Sequence, residues 1–356
     1  MRIAIDAREL HGQPTGVGRF LRELLAAWAT MPEASAHEFM PLAPNGPGAR
    51  GGTLWEQMVL PSLARDAGAD VLFAPAYSGP ILPPVPMVVA IHDVSYAAHP
   101  EWFGWREGAR RRTLVQLAAR AAARVVTISE FSKREIVAHL GIDESKVAVA
   151  YPGVTPFTTG TALEGASDGN GVLFVGSIFD RRHVPEMIEG FARLARTSPD
   201  VRLAIVGDNR TSPPLRLESI ARATGVGDRI LLRSYVPDEE LRSLYATSAA
   251  FVFLSEYEGF GLTPLEALAA GVPGLLLDTP VAREVCGDAA RYVRRADPVL
   301  VERGLRALLF DPGERQRILD AAAAVLARYS WTDCARRVLG VLLEAAIRGD
   351  KGSAPL

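Results

Sequence analysis

Ala249-Ala-Phe-Val-Phe-Leu-Ser-Glu-Tyr-Glu-Gly-Phe-Gly-Leu-Thr-Pro-Leu-Glu-Ala-Leu-Ala-Ala-Gly-Val-Pro273 is the stretch of this chain that decides the fold. Its opening apolar run, residues 249–254, is typical of a strand buried in a parallel sheet. Thr263 is a favourable helix N-cap, Pro264 suits the first helical position, and residues 265–270 are strong helix formers. The stretch therefore predicts a buried strand, a turn and a helix, which is the unit that α/β folds repeat.

The turn between this strand and helix has the features of an anion site. Gly259 and Gly261 carry no side chain, so backbone amides there can approach a ligand that the helix dipole also favours. Two glutamates, Glu258 and Glu266, flank the turn. Glu266 also forms a capping-box pattern with Thr263, and that structural alternative stays open, whereas Glu258 has no such explanation. We therefore expect a pyrophosphate site between two carboxylates.

Short apolar runs and longer periodic segments alternate along both halves of the chain. Strands are predicted at 2–6, 38–42, 70–74, 87–92, 124–129 and 146–151 in the first half, and at 171–176, 201–207, 229–233, 249–254 and 274–277 in the second. Helices are predicted at 20–28, 185–195, 215–224 and 239–247, with a last capped helix over 334–347. This alternation predicts an α/β fold in which each half is a doubly wound, Rossmann-like unit with a parallel sheet.

The length of 356 residues exceeds the size at which one hydrophobic core usually keeps growing. Residues 155–171 are rich in glycine, threonine and small polar residues, and we interpret them as an interdomain linker. The predicted domains are an N-terminal Rossmann-like domain, residues 1–160, and a C-terminal one, residues 161–330. Ligands of such units bind beyond the carboxyl ends of the strands, so we expect a cleft between the two.

The composition of the chain limits the classes of partner that we expect it to bind. A formal net charge of −2 and the lack of a basic tail argue against a nucleic-acid partner. Cys286 and Cys334 lie far apart without metal-ligand spacing, as expected for reduced structural thiols. The sequence shows neither a leader peptide nor an apolar run of the ~18 residues that a membrane span needs. We expect a cytoplasmic protein that contacts a membrane peripherally at most.

A pair of glycines near the start of the chain resembles a phosphate-binding loop. Gly16 and Gly18 lie in Thr15-Gly-Val-Gly-Arg19, which follows the first predicted strand and opens a helical pattern. Leu21 stands where the third glycine of a nicotinamide-binding fingerprint would be, so that cofactor is disfavoured. A plain flexible turn is the structural alternative.

Polar residues that follow two other strands are candidates for chemistry. His92 closes the predicted strand that begins at Met87, and a single histidine there more often has a structural role than a catalytic one. Arg181 and Arg182 follow the strand at 171–176, and guanidinium groups can bind phosphate oxygens with paired hydrogen bonds. Cations oppose the dipole at a helix start, so a merely solvated pair is the less favoured interpretation.

Aromatic and basic residues also cluster in the first half. Trp102, Phe103 and Trp105 stand beside Arg106 and the run 110–112, a composition that suits an anionic membrane surface. Because the cations share one helical stripe only in part, a helix with a solvated basic face is the favoured interpretation.

Seven motifs in this order resemble the retaining glycosyltransferases of family four, which have the GT-B fold, and among these the bacterial mannosyltransferases. The motifs are Ile5-Asp-Ala-Arg8, Thr15-Gly-Val-Gly-Arg19, Ile91-His-Asp93, Thr127-Ile-Ser-Glu-Phe-Ser-Lys-Arg134, Tyr151-Pro-Gly153, Val175-Gly-Ser177 and the segment from Tyr235-Val-Pro237 to Gly271-Val-Pro273. They span nearly the whole chain, and seven ordered matches are far more specific than any single motif. The resemblance implies that a last helix within residues 331–356 returns to pack on the N-terminal domain.

The resemblance also implies roles for the candidate residues. Glu258 holds hydroxyls of the transferred sugar, Glu266 holds the ribose hydroxyls, and His92 contacts the sugar near the reacting carbon. Arg181 and Arg182 bind the diphosphate, and Arg182 stands where the family has a lysine. The other implied donor-binding residues are Gly16, Gly18, Tyr235, Val236, Phe260, Gly261, Leu262 and Thr263.

Two features separate this chain from other sugar transferases. Ser177 replaces an arginine that the family usually has early in this loop, which puts Ser177 in doubt as a ligand. Aspartates one residue apart, the metal clamp of the other major sugar-transferase fold, are absent, and the six histidines show no metal-ligand spacing. Transfer without a metal or any other cofactor is therefore predicted.

The implied reaction is retaining transfer of a hexose, preferably mannose from GDP-mannose, to an acceptor hydroxyl in polysaccharide or glycolipid assembly. UDP-sugars remain the alternative donors, and a saccharide or lipid-linked saccharide is the expected acceptor. Two other functions stay open. One is a nucleotide-sugar epimerase of the same fold, and the other is a non-catalytic protein that binds nucleotide sugars.

Overall fold

The computed structural model describes residues 1–11, 16–44, 51–155 and 170–351, with side chains as far as residue 347. The chain divides into two compact units, one formed by Met1–Gly153 with Tyr329–Leu356 and the other by Val154–Arg328. The predicted boundary at residues 160 and 161, and most of the predicted linker, lie outside the described residues.

The first unit contains a six-stranded sheet in the order β2-β1-β3-β4-β5-β6, and every neighbouring pair is parallel. Its strands are β1 Arg2–Asp6, β2 Glu38–Leu42, β3 Val71–Ala74, β4 Met87–Ala90, β5 Arg124–Thr127 and β6 Val147–Val149. Its helices are α1 Gly16–Thr30, α2 Leu60–Asp66, α3 Ser95–Ala98, α4 Trp105–Ala121, α5 Glu130–Leu140 and, from the end of the chain, α13 Trp331–Lys351. A π-helical turn, Trp55–Val59, leads into α2.

The second unit contains another parallel six-stranded sheet, in the order β12-β11-β10-β7-β8-β9. Its strands are β7 Gly171–Val175, β8 Arg202–Val206, β9 Ile230–Arg233, β10 Ser248–Phe253, β11 Gly274–Leu277 and β12 Ala290–Val293. Its helices are α6 Val184–Thr197, α7 Leu217–Ala223, α8 Asp238–Thr247, α9 Leu262–Ala269, α10 Pro280–Cys286, α11 Pro298–Phe310 and α12 Pro312–Leu326.

The predicted α/β fold with two parallel sheets is confirmed. All eleven predicted strands are present, and their ends agree with the structure to within two residues. The strand that sequence reasoning missed, β12, is only partly buried in its middle, at Arg291 and Tyr292, because it lies at the edge of its sheet, unlike the fully buried β11 beside it. Runs that are buried on both faces are easy to find in a sequence, whereas a short edge strand is not.

The last helix packs on the first unit, against α1 and strands β3 to β5. The indole Nε1 of Trp28 in α1 donates to the carbonyl oxygen of Ala335 at 2.9 Å. A Cβ at Gly153 would collide with the backbone nitrogen of Trp331, so only glycine allows this close approach. Within the described ranges, every helix is too short or too polar to cross a lipid bilayer.

Each sheet has one point at which the chain turns away in opposite directions from two adjacent strands. In the second unit these strands are β7 and β10, and in the first they are β1 and β3. Side chains and backbone groups beyond the carboxyl ends of such strands are not covered by a crossover helix, so ligands of doubly wound folds bind there. A ligand site is therefore expected at each of these two places.

Candidate active site

Arg182 and Glu258 meet beyond the carboxyl ends of β7 and β10. The guanidinium Nε and Nη2 of Arg182 lie 2.8 and 2.7 Å from Oε1 of Glu258. Both side chains are largely buried, with 11% and 19% of their surface exposed. The two residues are 76 positions apart in the sequence, and the adjacent strands β7 and β10 bring them together. A cation and a carboxylate thus share one site at the predicted place.

The loop after β7 holds Arg182 in position. Its Nη1 donates to the carbonyl oxygen of Ser177 at 2.6 Å, and its guanidinium carbon lies 4.8 Å from the ring centroid of Phe253. Gly176, with φ of 143°, leaves space for this guanidinium, since a Cβ there would lie 2.6 Å from Nη1. Ser177 therefore contacts Arg182 through its backbone, in a loop where the family usually has a second cation.

Arg181 lies beside this pair and binds the backbone of the β10–α9 turn. Its Nε donates to the carbonyl oxygen of Tyr257 at 3.3 Å, and its own carbonyl accepts from the N–H of Glu256 at 2.9 Å. The guanidinium carbon lies 4.2 Å from the ring centroid of Phe179, a cation–π distance. Arg181 thus ties the two loops together, whereas Arg182 reaches the carboxylate.

The turn that carries Glu258 is ordered by side chains before it. Ser255 Oγ donates to Oε1 of Glu258 at 2.7 Å and lies 3.2 Å from the carbonyl oxygen of Tyr257. His183, in the left-handed region with φ of 50°, is hydrogen-bonded through Nε2 to Glu256 at 2.8 Å. Two contacts thus link the loop after β7 to this turn on either side of Arg182.

The prediction that Thr263 caps the following helix is wrong. Helix α9 begins at Leu262, and the N-cap is Gly261 with φ of 109° and no side-chain cap bond. A glycine without Cβ adopts this left-handed geometry at little cost, so the helix starts earlier than Thr263. Thr263 and Pro264 consequently lie inside the first turn, and a capping box from Thr263 to Glu266 does not form. The backbone amides of that first turn have no intrahelical acceptor.

Glu266 is a buried residue of α9, with 3% of its surface exposed. Its Oε2 accepts a hydrogen bond from the hydroxyl of Tyr245 in α8 at 3.3 Å, and Tyr245 is itself fully buried. An ionised carboxylate with so little solvent needs polar partners, since burial without them is costly. Tyr245 is one such partner, and sequence reasoning missed it because an aromatic residue in a helix usually signals core.

The remaining donor-side candidates are placed as follows. Tyr235 is 63% exposed and Val236 is buried, both in the loop between β9 and α8. Phe260 and Gly261 line a pocket that is open to solvent and also includes Glu258. Cys286 lines the same pocket, and burial raises the pKa of its thiol to about 12. This thiol stays protonated at neutral pH.

In the first unit, His92 lies directly after β4. Its Nε2 is 2.8 Å from the carbonyl oxygen of Pro75, and because a carbonyl only accepts, Nε2 must carry the hydrogen. Burial lowers the pKa of His92 below its ordinary value, although the nearby Asp93 opposes that shift. The imidazole is therefore neutral near pH 7, with Nδ1 as its acceptor.

The neighbouring Asp93 shapes the turn that follows. Its Oδ1 accepts from the N–H and Oγ of Ser95, at 2.9 and 2.7 Å, and its Oδ2 accepts from the hydroxyl of Tyr77 at 3.0 Å. The backbone carbonyl of His92 accepts from Ser132 Oγ at 3.0 Å. The motifs at 91–93 and 127–134 therefore meet in the structure.

The glycine pair opens helix α1, as predicted. Gly16 and Gly18 belong to the first turns of α1, and Gly18 is buried, while Thr15 lies outside the described residues. The carboxyl end of β1 carries a polar cluster. Arg8 Nη2 lies 2.6 Å from Asp6 and from Glu56, and Ser78 Oγ donates to Glu56 at 2.8 Å.

No metal site is predicted from the sequence. Among the residues that the structure describes, no group of three or more histidine, cysteine, aspartate and glutamate side chains lies close enough together to hold a metal ion. Transfer without a metal stays a prediction about the reaction.

Two family models match complementary parts of the chain. The model described as Glycosyltransferase Family 4 matches residues 14–156, and the model described as Glycosyl transferases group 1 matches residues 162–325. Together they match most of both units. The chain therefore contains a Glycosyltransferase Family 4 domain followed by a Glycosyl transferases group 1 domain. The predicted resemblance and the GT-B fold are thereby confirmed, and each of the two units has the expected parallel sheet.

Curated glycosyltransferases are moderately similar to this chain. A D-inositol 3-phosphate glycosyltransferase of Acidothermus cellulolyticus is 29% identical over 63% of this chain and 54% of its own length. An O-antigen chain mannosyltransferase B of Escherichia coli is 25% identical over 71% of this chain and 68% of its own length. The chain thus matches between about half and two thirds of the length of these relatives.

A solved structure shows the same fold over nearly the whole chain. The Anabaena protein HepE, in complex with UDP and glucose, superposes with a TM-score of 0.71 at 16% identity. The match covers 96% of this chain and 99% of that protein. At this identity the structural similarity establishes the GT-B fold only. The substrates of the present chain have to be inferred from its own residues.

Proposed function

We propose that this protein is a retaining glycosyltransferase that moves a hexose, preferably mannose from GDP-mannose, to an acceptor hydroxyl without a metal ion. The observation that carries the proposal is the contact of Arg182 with Glu258 at the switch point of the second unit, next to the start of α9. A cation for a departing anion and a carboxylate for sugar hydroxyls are the two groups that such a transfer needs side by side.

Stabilisation of the leaving diphosphate would dominate catalysis in this scheme. Breaking the anomeric bond places negative charge on the diphosphate and positive charge on the sugar. Arg182, Arg181 and the backbone amides from Phe260 to Thr263 would bind that negative charge, because a guanidinium and a helix N-terminus both favour anions. In such low-dielectric sites, fixed donors of this kind are worth more than in water.

The carboxylates would orient the donor rather than attack it. Glu258 would accept hydrogen bonds from hydroxyls of the transferred sugar, and buried Glu266 would accept from the ribose hydroxyls. His92 would contribute its neutral Nδ1 as an acceptor for a sugar hydroxyl, since Nε2–H is committed to Pro75. Tyr235 and Val236 would hold the base mainly through backbone groups, so their side chains do not identify it.

The named relatives support a sugar donor, but they do not all suggest the same sugar. The mannosyltransferase relative supports transfer of mannose, while the HepE structure contains UDP and glucose. We propose GDP-mannose first and UDP-sugars second. The acceptor would be a saccharide or lipid-linked saccharide, and no cofactor beyond the donor is proposed.

A panel of nucleotide sugars tests the function. The protein is incubated with each GDP-, UDP- and ADP-sugar, with and without a saccharide acceptor mixture, while release of nucleoside diphosphate and the anomeric configuration of the product are followed. We expect diphosphate release with one donor, retention of configuration in the product, and loss of transfer by at least about a hundredfold in Glu258→Ala.

The same panel separates the alternatives. An isomerised sugar formed from donor alone would indicate an epimerase, and nucleotide binding with no diphosphate release would indicate a binding protein. Full activity in Glu258→Ala would remove this carboxylate from the site. A melting curve of the variant checks that the fold is intact, since Glu258 contributes a largely buried ion pair with Arg182.

We also propose that the first unit contacts an anionic membrane surface. Trp105 at the start of α4 is 77% exposed, and Leu54 and Met58 near the π-helical turn are 76% and 66% exposed. The two segments are neighbours, because Arg110 Nη1 lies 3.4 Å from Thr53 Oγ1. Exposed apolar side chains beside arginines suit the headgroup region, where lipid-linked acceptors would be found.

A further inference from the structure

The segment from Pro75 to Ser78, which follows β3, carries several contacts that surround His92. The carbonyl oxygen of Pro75 accepts from Nε2 of His92 at 2.8 Å. At the other end of the segment, Ser78 Oγ donates to the buried Glu56 at 2.8 Å. The segment is therefore anchored at both ends, and Tyr77 lies between the anchors.

Tyr77 has an unusual backbone conformation. Its φ is 66°, and only one other non-glycine residue in the described part of the chain, His183, has a positive φ. This region is rarely adopted by a bulky residue, and such strain persists only where the surroundings enforce it. The N–H of Tyr77 donates to the carbonyl oxygen of Ala90 at 2.9 Å, which fixes the segment against the end of β4. A glycine would adopt the same φ without strain, so the tyrosine side chain needs its own explanation.

The side chain of Tyr77 contacts both members of the His92–Asp93 pair. Its hydroxyl donates to Oδ2 of Asp93 at 3.0 Å. Its ring centroid lies 5.3 Å from that of His92, with an angle of 65° between the rings. Phe20 of α1 makes a second edge contact with the imidazole at 5.0 Å. The orientation of the His92 ring therefore depends on Pro75, Tyr77 and Phe20 together.

We propose that Tyr77 is a positioning residue for His92, holding the imidazole so that Nδ1 is presented as an acceptor to the transferred sugar. The proposal rests on the function proposed above and adds a residue to it. Asp93 keeps its two bonds to Ser95 when the Tyr77 hydroxyl is removed, so the turn should survive. The Tyr77 ring, however, loses its hydrogen bond to Asp93, and we expect the imidazole of His92 to gain freedom to rotate.

Tyr77→Phe is the decisive variant, with Tyr96→Phe as the matched control. Tyr96 lies in the same turn region, is buried, and its hydroxyl has no hydrogen-bond partner among the described residues. For Tyr77→Phe we expect kcat to fall by about tenfold, because a small misplacement of a positioned group is enough for such a loss. We expect the Kd for nucleoside diphosphate to stay unchanged, since the diphosphate ligands belong to the second unit. Tyr96→Phe should leave both quantities unchanged.

Nitrogen-15 NMR of the histidine ring separates positioning from simple loss of stability. In the wild-type protein, the His92 signals should show a single neutral form with hydrogen on Nε2 and a bare Nδ1. In Tyr77→Phe they should shift or broaden, while a merely structural role would lower the melting temperature and leave these signals unchanged. Tyr77→Gly relieves the backbone strain but also removes the ring, and we expect its kcat to fall at least as far as that of Tyr77→Phe.

The results that overturn the proposal are specific. Unchanged His92 signals in Tyr77→Phe, or wild-type kcat in Tyr77→Gly, would show that the side chain does not position the imidazole. If the wild-type protein releases no diphosphate from any nucleotide sugar, the proposed function fails, while the NMR comparison still decides whether Tyr77 holds His92.

Discussion

At the scale of single residues, the ion pair between Arg182 and Glu258 has a consequence for product release. The guanidinium is engaged by the carboxylate that would hold the sugar in the proposed function. In that function, a nucleoside diphosphate product, which has lost its sugar, would compete with Glu258 for Arg182 and would also meet the negative charge of that glutamate. Glu258 would therefore oppose tight binding of the product.

We expect Glu258→Gln to bind nucleoside diphosphate more tightly by about tenfold, or about 1.4 kcal/mol, although its transfer activity is lost. Isothermal titration calorimetry measures this directly. Glu256→Gln is the matched control, since it removes the same charge two residues earlier from a carboxylate whose partner is His183. Equal affinities for the two variants would show that Glu258 does not restrain Arg182.

At the scale of elements, the start of α9 explains why two interpretations of Glu266 could not be separated in the sequence. Thr263 and Glu266 have capping-box spacing, but the left-handed Gly261 starts the helix at Leu262. The spacing of residue types does not reveal where a helix begins when a glycine before it can adopt positive φ. Glu266 is then a buried residue that accepts from Tyr245, one helix away.

Two substitutions on α9 test this assignment. Glu266→Ala should raise the KM for the donor by about tenfold, if it removes one charged hydrogen-bond acceptor from the ribose. Thr263→Ala should change the free energy of unfolding by well under the ~1 kcal/mol that loss of a helix N-cap costs. Donor kinetics and denaturant unfolding of both variants provide the measurements. A large loss of stability in Thr263→Ala, with unaltered donor KM in Glu266→Ala, would restore the capping interpretation.

At the scale of the whole molecule, the chain crosses back so that its last helix completes the first unit, which also carries the exposed aromatic and basic segment. Trp105→Ser combined with Met58→Ser should weaken sedimentation with phosphatidylglycerol vesicles, because each removes exposed apolar surface that would enter the headgroup region. Phe310→Ser is the control. It also removes an exposed apolar side chain, since Phe310 is 47% exposed, but this side chain lies on the second unit, for which no membrane contact is proposed. Equal vesicle binding by all variants and the wild type would argue against this surface.

The sequence by itself determined the α/β class, eleven of the strands and the family, because buried parallel strands are continuous apolar runs and the motifs follow them in order. Only the tertiary structure decided which polar residues meet. Strand adjacency brings Arg182 to Glu258, a left-handed glycine sets the start of α9, and helix packing places Tyr245 at Glu266. Tyr77 was likewise invisible in the sequence, since its contacts with Ala90, His92 and Asp93 depend on the pairing of β3 with β4. A pattern of residue types shows which residues of a single helix or strand are buried. A functional site is formed by residues at the ends of several helices and strands, so its contacts depend on the tertiary structure.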